Sequence, residues 1–94
     1  MTDKKTYAIQ LNDNEQDLEI LKVIISSWNV LKVLKQGKQD ITTIAKEINQ
    51  TEANISMKIK KLQKLGIVKC FFEPAEHGVR KICEIQPTEI KIVL

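Results

Sequence analysis

Along the first part of the chain, apolar positions alternate with polar ones and then recur at helical spacing. The alternation covers residues 6–11 and predicts a short strand. A polar break follows, in which Asp13 or Asn14 can cap a helix. The helical stretch, residues 15–26, is amphipathic and is expected to be either a core helix or a dimer interface. Together with the first residue of the next helix, its apolar positions are Leu18, Leu21, Ile24, Ile25 and Trp28.

A second helix is predicted directly after the first. Ser26 and Ser27 interrupt the apolar run and can cap it, and Gly37 stands where a helix is expected to stop. The pattern therefore predicts a short helix over residues 27–37. The face expected to turn inward carries Trp28, Leu31 and Leu34, with Val30 at its margin.

A third helix is predicted over residues 41–48, with Thr42 or Asp40 as its cap. Asn49 ends it, because asparagine tolerates the left-handed backbone position that closes many helices. Only a tight turn separates this helix from the next one, and such a pair is the local pattern of a helix-turn-helix. The residues expected to face inward are Ile44, Ala45 and Ile48.

The fourth helix is predicted to start at a Thr51 cap and to run to about Leu65, where Gly66 stops it. Its apolar stripe is narrow and consists of Ile55, Ile59 and Leu62. The opposite face is rich in lysine, since residues 51–69 hold five lysines and a single acid, Glu52. This face is either a solvated basic surface or a surface that meets a polyanion.

Residues 67–73 and 79–86 are strand-like and flank a hairpin tip at residues 74–78. The register that makes Glu73 face Arg80 also makes Lys69 face Glu84. The same register opposes Phe71 to Ile82, Val68 to Ile85, and Cys70 to Cys83. It places one apolar face on the hairpin, made of Val68, Cys70, Phe72, Cys83 and Ile85.

The distribution of charge along the chain is informative about possible ligands, because the net charge of +3 is not spread evenly. Residues 1–40 carry six lysines and six acids, whereas residues 41–94 carry nine basic residues against six acids. A localised basic excess favours contact with phosphate groups. We find no signal-peptide pattern and no apolar window long enough for a membrane span, so we expect a cytoplasmic protein without a membrane partner.

The order helix, helix, tight turn, helix, β-hairpin resembles that of the ArsR-like winged helix-turn-helix transcriptional regulators, with MarR-like winged helices as a close alternative. The resemblance runs from Ser27 to about Gln86. It is carried by 28-WNVLKVL-34, 41-ITTIAKEI-48, Thr51, Ile55-Ser56, 59-IKKL-62 and 65-LGIV-68. It implies an α+β fold, mainly α, with a C-terminal β-hairpin wing.

The resemblance also implies a domain organisation. The chain is expected to be one domain, residues 1–94, with an N-terminal extension at 1–26, a winged-helix core at 27–86 and a tail at 87–94. The tail fits either a strand or a helical turn. Homodimerisation is expected, with the extension contributing.

In such a fold the fourth helix enters the major groove of double-stranded DNA. Asn54, Met57, Lys58 and Lys61 are then expected near base edges, and Thr51, Lys60 and Lys64 near phosphates. In the wing, His77, Arg80 and Lys81 can reach the backbone or minor groove, although Arg80 can instead simply pair with Glu73. The alternative functions are a protein–protein interaction module and a less specific, architectural nucleic-acid binder.

Three features depart from the family pattern. Asn49 and Gln50 replace a glycine and an apolar residue in the turn, Met57 stands where a basic or polar residue is common, and the paired-cysteine metal motif is missing from the fourth helix.

His77, Cys70 and Cys83 cannot supply four ligands within one chain, so we predict no metal site. The sequence has no glycine-rich phosphate loop, no plausible histidine-containing triad and no evident carboxylate pair, so we also predict no cofactor and no catalytic activity. Cys70 and Cys83 are either small buried apolar residues or a disulfide or redox pair.

Overall fold

The computed structural model describes residues 4–11 and 14–94, so the predicted Asp13 cap lies outside the described residues. It has the α+β order expected from the sequence, with helices followed by a hairpin. In chain order the elements are β1 (Lys5–Gln10), α1 (Glu15–Ser26), α2 (Trp28–Lys35), β2 (Gln39–Asp40), α3 (Ile41–Glu47), α4 (Glu52–Lys64), β3 (Val68–Ala75), β4 (Gly78–Ile85) and β5 (Thr88–Val93). The two-residue strand β2 was not predicted.

The core lies where the four helices meet the base of the β3–β4 hairpin. On α3, Ile44 and Ala45 are buried as predicted, whereas Ile48 is half-buried and packs against the core. The predicted inward residues of α4 are confirmed, because Ile55, Ile59 and Leu62 are completely buried. Burying one such side chain stabilises the fold by about 1.5–3 kcal/mol, so this cluster holds α3 and α4 firmly together.

The predicted inward face of α2 was wrong at its start. Trp28 is 59% exposed, while Val30, predicted at the margin, is completely buried. Val33 and Leu34 complete the buried stripe.

The predicted apolar stripe of α1 is divided, since Leu18 and Ile25 are exposed whereas Ile24 is half-buried and packs against the core. Val23, outside the predicted stripe, is the buried residue of that helix. An amphipathic pattern identifies side chains that avoid water, but not the neighbour that covers them.

Helix caps follow the predictions in three of four places, including the Thr51 cap of α4. The Asn14 side chain accepts a hydrogen bond from the backbone N–H of Gln16 at 2.9 Å. The Asp40 carboxylate accepts one from the N–H of Thr43 at 2.7 Å. Ser27 occupies the cap position of α2 without a side-chain cap bond, and it is buried between α1 and α2.

The predicted hairpin register is confirmed, including the pairs Cys70–Cys83 and Glu73–Arg80. Phe72 is an exception to the predicted buried face, since it is 69% exposed. The residues that follow toward and around the hairpin tip, 74–80, are exposed as well. Ile82, on the opposite face, is buried instead, and β2 pairs along β4 at this point to give the strand order β2-β4-β3.

The open question about the tail is settled in favour of a strand. β5 pairs in parallel with β1, from Lys5 opposite Thr88 to Gln10 opposite Val93. Ile9 is buried by this arrangement, whereas Leu11, Ile92 and Leu94 remain exposed. No helix in the described part of the chain is long and apolar enough to cross a membrane.

Candidate DNA-binding surface

The turn between α3 and α4 is fixed by backbone hydrogen bonds. Asn49 adopts the predicted left-handed conformation, with φ of 54°. Its N–H donates to the carbonyl of Lys46 at 3.3 Å, and the N–H of Gln50 donates to that of Ala45 at 3.0 Å. These two bonds form the Schellman motif, which satisfies carbonyls at the end of α3 and reverses the chain. The start of α4 is therefore set by local geometry.

Thr51 caps α4 as predicted, because its hydroxyl accepts a hydrogen bond from the N–H of Asn54 at 3.1 Å. Glu52 follows in the first turn, where a negative charge is favoured by the helix dipole. The helix ends at Gly66 in a second Schellman motif, in which the N–H of Ile67 donates to the carbonyl of Leu62 at 3.0 Å. Both ends of α4 are thus satisfied by the chain itself.

The outward face of α4 carries the predicted basic residues. Lys60, Lys61 and Lys64 are exposed, and none of them forms an ion pair with an acidic side chain among the described residues. Met57 lies at the centre of this face and is 56% exposed. The lysines can therefore bind an anion without first breaking an internal ion pair, around an apolar centre.

Two of the predicted base-contacting residues are tied to the turn. The Gln50 side-chain oxygen accepts hydrogen bonds from the Asn54 amide at 2.8 Å and from the Lys58 ammonium at 3.1 Å. Both donors are consequently half-buried and held in one orientation. Gln50 was missed as a site residue, because it lies in the turn before α4 and helical spacing does not place its side chain.

The hairpin wing places its predicted residues differently. His77 is in the exposed turn, and Lys81 is half-buried on β4. The Arg80 guanidinium lies 3.6 Å from the carboxylate of Glu73, so the cross-strand pairing that the sequence allowed is confirmed. It also lies 3.5 Å from the carboxylate of Asp40. The charge of Arg80 is partly balanced before any ligand arrives.

A groove separates α4 from the wing. Its lining includes Glu52 and Ser56 on α4, Thr42 on α3, and Val79 and Lys81 on β4. The Thr42 hydroxyl donates to the Glu52 carboxylate and ties the starts of the two helices together. Ser56 was missed by the sequence reasoning, although it follows Glu52 by four residues and so lies on the same side of α4.

Asp40 connects the wing to the helix-turn-helix. Hydrogen bonds from Thr43 hold the pKa of this carboxyl below its ordinary value of 3.8, and the positive charge of Arg80 lowers it further. The ionised Asp40 thus caps α3 and pairs with the wing at once. Within residues 4–11 and 14–94, no group of three or more His, Cys, Asp or Glu side chains is arranged to hold a metal ion.

Comparison with known proteins supports a winged helix-turn-helix. Residues 28–69 match the model of the bacterial regulatory protein, arsR family. The fold is similar to that of the reduced form of the transcriptional regulator YodB from B. subtilis, with a TM-score of 0.62 and 19% identity over 80% of this chain and 76% of that one.

A transcriptional regulator homologue from Pyrococcus horikoshii OT3 is similar too, with a TM-score of 0.59 and 24% identity over 78% of this chain and 77% of that one. No sequence among the curated proteins matches the chain. The predicted resemblance is therefore confirmed over residues 28–69, and the winged-helix fold over most of the chain.

Proposed function

Because residues 28–69 carry the helix-turn-helix of the arsR family, we propose that this DNA-binding transcriptional regulator acts as a small homodimeric repressor in the cytoplasm. Each protomer inserts α4 into the major groove and lays the wing, residues 67–86, on the flanking backbone or minor groove. The two α4 helices then meet half-sites about one helical turn of DNA apart. Occupancy of the site excludes other proteins from it.

The observation that carries this proposal is the outward face of α4. Its exposed lysines surround Met57, on a helix whose position is fixed by two Schellman motifs and a buried stripe. Lysine ammonium groups neutralise phosphates and set affinity, whereas base edges are read by directed hydrogen bonds and apolar contacts. Asn54, oriented by Gln50, supplies an amide of the kind that reads adenine, and Met57 supplies an apolar contact suited to a thymine methyl group.

Support for the dimer comes from α1 and the start of α2. Leu18, Leu21, Ile25 and Trp28 form one outward stripe, which we call the α1 patch, and three of its four side chains are more than half exposed. The exposed Ile92 of β5 and Leu94, which follows that strand, line the same groove as Leu18 and Leu21. A concentration of exposed apolar side chains of this kind is typical of a protein–protein interface, and most of them lie on the element expected to mediate dimerisation.

Salt dependence of DNA binding tests the proposal. A random-pool selection first supplies the preferred duplex, and affinity is then measured for that duplex and a scrambled one at two salt concentrations. We expect tighter binding to the selected duplex and a steep loss of affinity with salt. A plot of log affinity against log salt has a negative slope. Lys61→Ala should reduce the magnitude of that slope by about one unit, since one phosphate contact is lost.

Lys91→Ala is the matched control, because it removes the same charge from β5 while leaving the α4 face intact. Its slope should equal that of the unaltered protein. Failure to bind either duplex at low salt would contradict the proposal and favour a protein–protein module. Equal affinity for both duplexes would favour an architectural nucleic-acid binder instead.

A further inference from the structure

The only two cysteines of the chain face each other at the base of the wing. Their sulfur atoms are 3.0 Å apart, and both are free thiols. Cys83 is completely buried in the core cluster, whereas Cys70 is only half-buried. Neither residue belongs to the α4 face or to the α1 patch, so the proposed DNA and dimer contacts leave this pair unexplained.

The hydrogen-bond pattern of the hairpin decides which kind of pair this is. The N–H of Gln86 donates to the carbonyl of Ile67 at 2.8 Å, so these two opposed residues form a hydrogen-bonded pair. Hydrogen-bonded and non-hydrogen-bonded pairs alternate along an antiparallel ladder. Counting three positions along the confirmed register makes Cys70–Cys83 a non-hydrogen-bonded pair.

That assignment matters because opposed residues in a non-hydrogen-bonded pair have Cα atoms about 4.5 Å apart, with their side chains close together. Disulfides form at Cα separations of roughly 4.4–6.8 Å. The two sulfurs can therefore be joined without breaking a ladder hydrogen bond or changing the register of the wing.

We propose that Cys70 and Cys83 are a reversible oxidation site, which a hydroperoxide converts into an intramolecular disulfide across the wing. The Cys70 thiolate attacks the peroxide, the O–O bond breaks, and sulfenic acid forms while the leaving oxygen takes up a proton to become an alcohol or water. The Cys83 sulfur then attacks the sulfenic acid sulfur, and water leaves. Two thiols have lost two electrons, and the peroxide has gained them.

The difference in burial between the two cysteines determines which sulfur attacks the peroxide. Cys70 is the sulfur with access to solvent, so it meets the peroxide first. Burial, together with the neighbouring Cys70, raises the pKa of the Cys83 thiol to about 12. Cys83 is therefore protonated when the peroxide arrives, which leaves Cys70 as the attacking sulfur.

Peptide mapping tests this site on the unaltered full chain. Trypsin cleaves after Lys69, Arg80, Lys81 and Lys91, so the two cysteines fall on the separate peptides 70–80 and 82–91. After mild treatment with hydrogen peroxide and blocking of remaining thiols under denaturing conditions, we expect the chain to have lost the mass of two hydrogen atoms. The two peptides should be linked, and a phosphine reductant should separate them again.

Two variants identify the roles of the sulfurs. Cys70→Ser should leave Cys83 as an unmodified thiol after peroxide, and Cys83→Ser should leave Cys70 as a sulfenic acid that dimedone traps. Recovery of two alkylated thiols from the peroxide-treated unaltered chain would overturn the proposal. So would a disulfide between two chains on non-reducing electrophoresis, or sulfinic acid at Cys70 with Cys83 still free.

Discussion

Asn49 controls the geometry of the helix-turn-helix through one backbone angle. Its φ of 54° lies in the left-handed region, which glycine adopts freely and most other residues adopt at a cost of about 1–2 kcal/mol. Asn49→Ala should therefore lower the free energy of unfolding by about 1 kcal/mol. Asn49→Gly should change it by only a few tenths. Urea denaturation followed by circular dichroism measures both.

The same pair of variants separates stability from recognition. Asn49 is exposed and lies outside α4, so Asn49→Gly should leave the DNA affinity of the folded protein unchanged. An equal loss of stability in the alanine and glycine variants would show that the asparagine side chain, rather than its backbone angle, determines the contribution of this turn to the free energy of unfolding.

The residues of α4 show which side-chain positions can be predicted from the sequence alone. The 3.6-residue period alone separates Ile55, Ile59 and Leu62 from the lysine face, since helix geometry fixes both sets. The hydrogen bonds of Asn54 and Lys58 with Gln50 could not be predicted from the sequence. It depends on where the turn directs the Gln50 side chain, which helical spacing does not specify beyond the end of the helix.

At the scale of elements, Asp40 joins β2, α3 and the wing. Because its pKa is lower in the folded protein than in the unfolded chain, the ionised carboxylate stabilises the fold above the ordinary Asp value of 3.8. This contribution is lost as pH falls through the lower, folded-state pKa. Asp40→Ala should reduce the free energy of unfolding by about 1 kcal/mol at neutral pH, mostly through the lost cap. The Arg80 pair adds little because it is exposed.

Measuring the free energy of unfolding over a series of acidic pH values separates the contribution of the Asp40 charge from that of its helix cap. The stability difference between the unaltered protein and Asp40→Ala should shrink as pH falls below about 4. Asp40→Asn keeps a cap acceptor without a titratable group, so its difference from Asp40→Ala should be constant across the same range. A gap between the unaltered protein and Asp40→Ala that persists to pH 2 would assign the effect to a neutral cap or to packing rather than to the charge.

Strand pairing was predictable for the wing and not for the two ends of the chain. In the hairpin, the pairs Glu73–Arg80 and Lys69–Glu84 constrain the register, and a short connection leaves few alternatives. The pairing of β1 with β5 joins segments at opposite ends of the sequence, and no turn or charge pattern connects them. The alternation in residues 6–11 predicted the existence of β1, but a strand pattern carries no information about its partner.

At the scale of the whole molecule, the α1 patch bears on the choice that the sequence left open for the first helix. The apolar stripe was expected either inside the core or in a dimer interface, and Ile25 is 70% exposed in the single chain. If two chains bury this patch against each other, a charge at its centre is buried without a partner, which costs several kcal/mol. Ile25→Glu should therefore convert the dimer to a monomer in sedimentation velocity without lowering the helix content.

Gln16→Glu is the matched control, because it adds the same charge to α1 at an exposed position in the first turn, where an acid is favoured. This control should remain dimeric. A monomeric Ile25→Glu should also lose affinity for a two-half-site duplex by at least about tenfold, since the second half-site no longer binds as part of the same complex. Its affinity for a single half-site should be unchanged, because α4 lies outside the patch. If Ile25→Glu stays dimeric, protomer contact lies elsewhere, and the exposed C-terminal strand becomes the next surface to alter.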